Sequence, residues 1–207
     1  MTDPVLIVGA GATGFTSGGR TMTYADTQVL FCDLQPQIIA RSRTNPPEAL
    51  AAAAAVLARV ARILGLPMTF SMVPESGSAP ELIAELQAFA SPQTLFTRVS
   101  ASPFLDHATA RVMRAYGRKT LVIAGFATEV VSLHAALGAI GEGYAVQLPV
   151  DANGGLSARS EDAAFRQIED AGGVITSVVT LATTLAPDFA TSPGREVFAE
   201  LEDIRLS

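Results

Sequence analysis

The chain has 207 residues, enough for one sheet covered by helices, and 49% of them are hydrophobic against 16% charged. That balance fills a core and excludes a disordered chain. A formal charge of −6 leaves no basic stripe for phosphate backbones, so nucleic acid is not an expected partner.

The single cysteine, Cys32, excludes an internal disulfide framework and a multi-cysteine zinc site. The start of the chain lacks a basic n-region, and no apolar stretch approaches the roughly 18 residues of a membrane span. A cytoplasmic protein with no membrane partner is expected.

Residues 1–26 are rich in Gly, Thr and Ser and read as an N-terminal arm, flexible or crossing to another subunit. The arm contains Gly9, Gly11 and Gly14 in the G-x-G-x-x-G spacing, with Asp33 placed 19 residues beyond Gly14, as in a dinucleotide fingerprint. That fingerprint needs a helix to begin at the third glycine, so that its amides hold the pyrophosphate. The residues that follow, FTSGGRT, are poor helix formers and leave too little chain before the next strand. No cofactor is expected.

From residue 27 the pattern alternates. Residues 27–33 (TQVLFCD) form a buried strand closing on an aspartate, and Pro46-Pro47-Glu48 opens an alanine-rich helix that Gly65 stops. Residues 66–73 give a second strand and 74–80 a Pro/Gly/Ser loop. A helix follows over 81–90, a strand over 94–97 and a helix over 103–116. Residues 121–124 (LVIA) read as a central strand, 128–141 as a helix, and 145–150 as a strand ending at Asp151. Ser160-Glu161-Asp162 begins a helix that Gly172-Gly173 ends, 174–179 is the sixth strand, and a last helix starts near Pro193.

This alternation predicts a three-layer α/β/α sandwich over residues 27–207, with a parallel six-stranded Rossmann-like sheet and right-handed crossovers. Ligands in such sheets bind beyond the carboxyl ends of the strands. That rule nominates Asp33, the 74–80 loop, Arg98, the 125–131 turn and Asp151.

An aspartate that closes a buried strand is either a general acid/base with a raised pKa or a turn-forming cap. Cys32, beside it, should turn to the opposite face and remain an inert buried thiol. Residues 121–131 (LVIAGFATEVV) read as strand, glycine turn and helix start, where unpaired amides stand ready for a developing oxyanion.

The stretch GFATEVVSLHAALGAIGEGYAVQLPVDANGG (residues 125–155), together with VLFCDLQPQI (29–38), resembles the isochorismatase-like, or cysteine hydrolase, superfamily and its YcaC-like subgroup. The likeness spans about residues 27–185. It implies Asp33 as general acid/base, and Arg98 in the place of the family's catalytic lysine or arginine. It also implies a cis peptide between Ala127 and Thr128 that aims backbone amides at the substrate.

The family's nucleophilic cysteine should stand six residues after the motif glycine, and that residue is Val131. Valine cannot attack a carbonyl, so the thioester route is closed. Ser132 is rotated by about 100° around the helix, a poor replacement. Zinc-bearing members use an aspartate and histidines after strand two, whereas residues 71–78 (SMVPESGS) hold no histidine, and no metal is expected. His134, one turn beyond Val131, reads as a histidine bordering the core.

The resemblance therefore implies a hydrolase of a small molecule acting through Asp33 without covalent catalysis, as the cysteine-free isochorismatases do. The alternative is a catalytically inactive binding or scaffold member; a nucleotide-dependent oxidoreductase is third. Homo-oligomers are expected, with the arm and the C-terminal helices as surfaces.

Overall fold

The computed structural model describes residues 16–17, 20–75 and 79–202. The glycine motif at residues 9–14 lies outside them. Within the predicted arm, the backbones of β1 (Thr16–Ser17) and β2 (Arg20–Thr21) pair antiparallel.

The main sheet is built from β3 (Thr27–Cys32), β4 (Met68–Met72), β5 (Leu95–Thr97), β6 (Thr120–Phe126), β7 (Ala145–Pro149), β8 (Asn153–Gly154) and β9 (Val174–Thr176). Its order is β5-β4-β3-β6-β7-β9, with β8 paired to the end of β6, and every pairing in it is parallel. Every residue of β3 and of β6 is buried, as expected of central strands with both faces covered.

Helices α1 (Pro36–Ile39), α2 (Pro47–Ile63), α3 (Ala84–Gln87), α7 (Val178–Leu185) and α8 (Gly194–Leu201) pack with Phe31 and Phe70 into one apolar layer. The other face is covered by α4 (His107–Ala115), α5 (Leu133–Gly141) and α6 (Ala158–Asp170), packed around Leu30, Leu121 and Ile123. The alanine run of α2 is almost wholly buried, so this helix lies close on the sheet. Its first turn carries Pro47 and Glu48, which suit the missing donor and the positive end of a helix.

The chain starts the sheet at its centre, winds outward to β5, then crosses to β6 and winds outward again. The helix that follows β3 covers one face and the helix that follows β6 covers the other. The crevice where strand order reverses therefore lies between the carboxyl ends of β3 and β6.

Three expectations are corrected. The sheet has seven strands rather than six, because Asn153–Gly154 adds β8. Asn153 fixes this polar dipeptide by donating to the carbonyls of Ile123 at 2.9 Å and Pro149 at 2.8 Å. The predicted sixth strand stops at Thr176, and its valines enter α7. The Ser177 side chain caps that helix, and the Asp151 carboxylate accepts from the Val178 N–H, so local β propensity loses to two caps. Helix α6 begins at Ala158, earlier than Ser160, because Ser157 supplies its N-terminal acceptor. Among the described residues no helix is long and apolar enough to cross a membrane.

The strands that form the crevice touch through backbone. A Cβ on Gly125 would stand 2.4 Å from the carbonyl oxygen of Cys32 and 2.8 Å from its Cβ. Gly125→Ala should therefore destabilise the fold by about 1–3 kcal/mol through overpacking, read as a lower urea midpoint with an unchanged slope.

Candidate functional site

Asp33 leaves β3 in the left-handed region, at φ 54°. Aspartate tolerates that conformation better than most residues, but the residue is still uncommon enough to mark the place. Its amide continues the ladder, donating to Ser71 at 2.8 Å, while the Arg98 amide donates to Met72 at 2.9 Å. Asp33 and Arg98 thus flank the end of β4 from opposite sides. Their side chains meet across it: Arg98 donates from both terminal nitrogens, at 2.7 Å to Oδ1 and 2.8 Å to Oδ2.

Only 7% of Asp33 and 3% of Arg98 is exposed, so this is a buried, bidentate pair. Burial pushes the Asp33 carboxyl above its ordinary range, and the two bonds from Arg98 pull against that rise. Burial works most strongly against the Arg98 charge, but the bonds to Asp33 and the acidic groups around it together outweigh that and hold the guanidinium protonated. Each Asp33 oxygen keeps a lone pair beyond the one Arg98 uses, so the carboxylate can still take or deliver a proton.

The turn after β6 closes the other side of the crevice. The cis peptide lies between Phe126 and Ala127, one residue before the Ala127–Thr128 bond that the resemblance implied. Thr128–Ser132 then forms a wide π turn that continues into α5. The register places Cys32 opposite Gly125, so Asp33 and this turn leave neighbouring strands about 4.8 Å apart.

Ala127 and Thr128 are buried, and the Thr128 hydroxyl donates to Glu161 at 2.8 Å. Val131 is fully buried and belongs to the apolar cluster that also holds Leu30, Cys32 and Leu133. Ser132 is buried too, with its hydroxyl spent on Asn153 Oδ1 at 2.7 Å.

Alternation holds through Cys32, which lies with Leu30 in one apolar layer while Phe31 lies in the other. The thiol shares a cluster with Val131, and Arg98 and Asp33 both act on it through space. Burial raises its pKa far above the ordinary thiol range and keeps it neutral. Asp151 stands at the carboxyl end of β7 as expected, but its carboxylate is committed to capping α7. His107 and His134 are exposed. Among the described residues no three His, Cys, Asp or Glu side chains form a group able to hold a metal.

Gln35 is a residue whose task the sequence left unstated. Its side chain accepts from the Val73 N–H and donates to the Val73 carbonyl, both at 3.0 Å, and donates to Glu75 at 2.5 Å. An amide side chain so continues the pairing of β3 with β4 after both strands have ended, and holds the start of the 74–80 loop beside Asp33. The spacing Asp33-Leu34-Gln35 was the available signal.

A doubly wound parallel sheet with an aspartate–arginine pair at its switch point and a buried turn facing it defines an α/β domain of the isochorismatase type. Residues 27–179 match the Isochorismatase domain, and the chain belongs to that family. It is 27% identical to the protein named Probable hydrolase YcaC of Escherichia coli (strain K12) over 165 residues, 79% of each chain. The solved YcaC of Pseudomonas aeruginosa, with hexane-2,5-diol and covalent acrylamide, superimposes with a TM-score of 0.81 at 26% identity, over 88% of this chain and 90% of that one. The E. coli YcaC structure, an octameric hydrolase of unknown specificity, gives 0.80 at 25% identity, over 86% and 89% of the two chains.

Removing one member of the buried pair leaves the other uncompensated. Arg98→Met should cost about 3–5 kcal/mol at pH 8, where Asp33 must ionise on unfolding but not in the fold. The loss should shrink toward pH 4, near the ordinary carboxyl pKa of about 3.9, where Asp33 begins to hold its proton in the unfolded chain as well. Urea titrations of the two proteins at these pH values measure it; a loss independent of pH would contradict the assignment.

Proposed function

We propose that the chain is a hydrolase of a small molecule that uses Asp33 as general acid/base and Arg98 as its charge partner, without a covalent thiol intermediate. The observation that carries this reading is the buried bidentate Asp33–Arg98 pair at the switch point. Desolvation brings the carboxyl toward the range in which it can both donate and accept a proton near neutrality. Asp33 protonates the terminal carbon of a vinyl ether, and Arg98 steadies the aspartate anion left behind. Water adds to the oxocarbenium carbon so formed and returns a proton to Asp33, and the hemiketal collapses to a carbonyl and an alcohol, closing the cycle. Backbone amides at Ala127 and Thr128 are the proposed donors to charge that develops on the substrate.

Val131 takes the place of the family nucleophile in this reading. The Pseudomonas relative holds acrylamide covalently, and an isopropyl group offers nothing that could. Acid-catalysed cleavage of a vinyl ether, which needs a proton donor and water but no nucleophilic side chain, is the reaction class that fits. By analogy with the octameric E. coli relative, we also propose that the chain assembles into homo-oligomers.

A second reading follows from one observation. Val131 is fully buried in an apolar cluster and offers no reacting group, which fits a member of the family that binds a small molecule without chemistry. A panel of vinyl ethers, esters and amides separates the two. The hydrolase reading expects turnover that Asp33→Asn lowers at least about 100-fold with the fold intact. Background rates throughout select the binding reading.

The position itself is tested by Val131→Cys. If residue 131 is the attacker's seat, the variant should form an acrylamide adduct, visible by mass spectrometry, that the natural chain with buried Cys32 does not form. No adduct on the variant would remove Val131 from the site.

A further inference from the structure

Two carboxyl side chains that the proposed reaction does not use converge behind the turn. Glu129, in the π turn, reaches to α6 and the chain just before it, where its Oε1 accepts from the Leu156 N–H at 2.9 Å and the Ser160 hydroxyl at 2.6 Å. Glu161 on α6 is 8% exposed, and its Oε1 accepts from the Thr128 hydroxyl.

Gly155 stands between them. A Cβ on it would come within 3.0 Å of Glu161 Cδ and 3.2 Å of Glu129 Oε2. The two carboxyl groups therefore sit around a backbone position with no room for a methyl group.

Glu129 Oε2 is buried and has no hydrogen-bond donor. The donors around it are already spent. The Thr128 hydroxyl serves Glu161, the Ser160 hydroxyl serves Glu129 Oε1, and the Gly155 N–H serves Thr44 Oγ1 at 2.7 Å. The charges that bear on Glu161 are those of Glu129 across the gap and Asp162 beside it on α6, both negative. Arg43, before α2, and Arg159, on α6, are exposed. An ionised pair would leave two buried like charges together with one oxygen unsatisfied, which is the arrangement that makes one of two carboxyls hold its proton.

We propose that Glu161 is carried as the neutral acid and donates its proton to Glu129 Oε2, so that the pair shares one proton and one negative charge and latches α6 to the turn. Burial, the largest influence on Glu161, and the Glu129 charge both push its carboxyl upward, against the bonds from Thr128 and Thr44, and the net rise agrees with the geometry. The latch holds while that proton is bound. Stability it contributes falls as the pH rises from the ordinary glutamate pKa of about 4.3 through the raised value in the fold. Above it, two anions repel and Thr128 loses a rigid acceptor. The inference stands whether or not position 131 takes part in chemistry, because its test reads protonation and stability rather than turnover.

The test is infrared spectroscopy of the full chain at pH 7, with thermal melts from pH 5 to 9. Wild type should show a protonated-carboxyl band that E161Q lacks. E129Q should lack it too, since the amide that replaces the carboxyl there would donate to an ionised Glu161. Bands from other buried acids, Asp33 among them, persist in both variants. E161Q supplies an N–H where the acid supplied its O–H, so it should melt with wild type at pH 5 and above it at pH 8. A spectrum unchanged by either substitution overturns the proposal. So does an E161Q chain that is destabilised equally at every pH or does not fold, since it offers the same hydrogen bonds.

Discussion

The site rests on one buried salt link drawn across a strand. Asp33 ends β3 and Arg98 follows β5, and β4 lies between them, so the partners start from backbones two strand spacings apart, about 9.6 Å. Arginine is long enough to span that gap, and its planar fork fills both carboxylate oxygens. The backbone amides of both residues remain on the β4 ladder, so the pair ties together the ends of three strands. Burial gives this link its chemical meaning: a carboxyl in water would be an ordinary acid, whereas here desolvation and the arginine pull its pKa in opposite directions.

On the other side of the crevice the constraint is steric. Glycine at position 125 lets the end of β6 close on the carbonyl of Cys32, and the chain then opens into a π turn. That turn is pinned from behind by Thr128–Glu161, by Glu129 with Leu156 and Ser160, and by Ser132–Asn153. Polar side chains in and around the turn are thus occupied in holding it. Val131 is fully buried and adds apolar packing rather than a polar contact.

Much of the architecture was legible in the chain. The apolar runs at 27–32 and 120–126 are buried on both faces, and such runs form central parallel strands. Proline and acid at the head of α2 and glycine after it marked that helix. Asp33 and Arg98 were legible too, because strand ends in this topology converge. Two features escaped. Strand β8 is two residues held by an asparagine network, too short for periodicity to register. The valines of α7 carry a strand's propensity and are overruled by caps from Ser177 and Asp151.

The sequence by itself determined the order of strands and helices along the chain, the charged residues at the strand ends and the aliphatic residue at 131, since burial pattern and residue chemistry are local properties of the chain. Only the tertiary structure decided which groups those residues answer to. Asp33 meets Arg98 across β4, Asp151 is spent on a helix, Cys32 is sealed in the core beside Val131, and Glu129 and Glu161 face each other around Gly155. Each outcome depends on contacts between segments far apart in the chain, where distance and exclusion of water, rather than residue type, set the strength of a charge or a hydrogen bond.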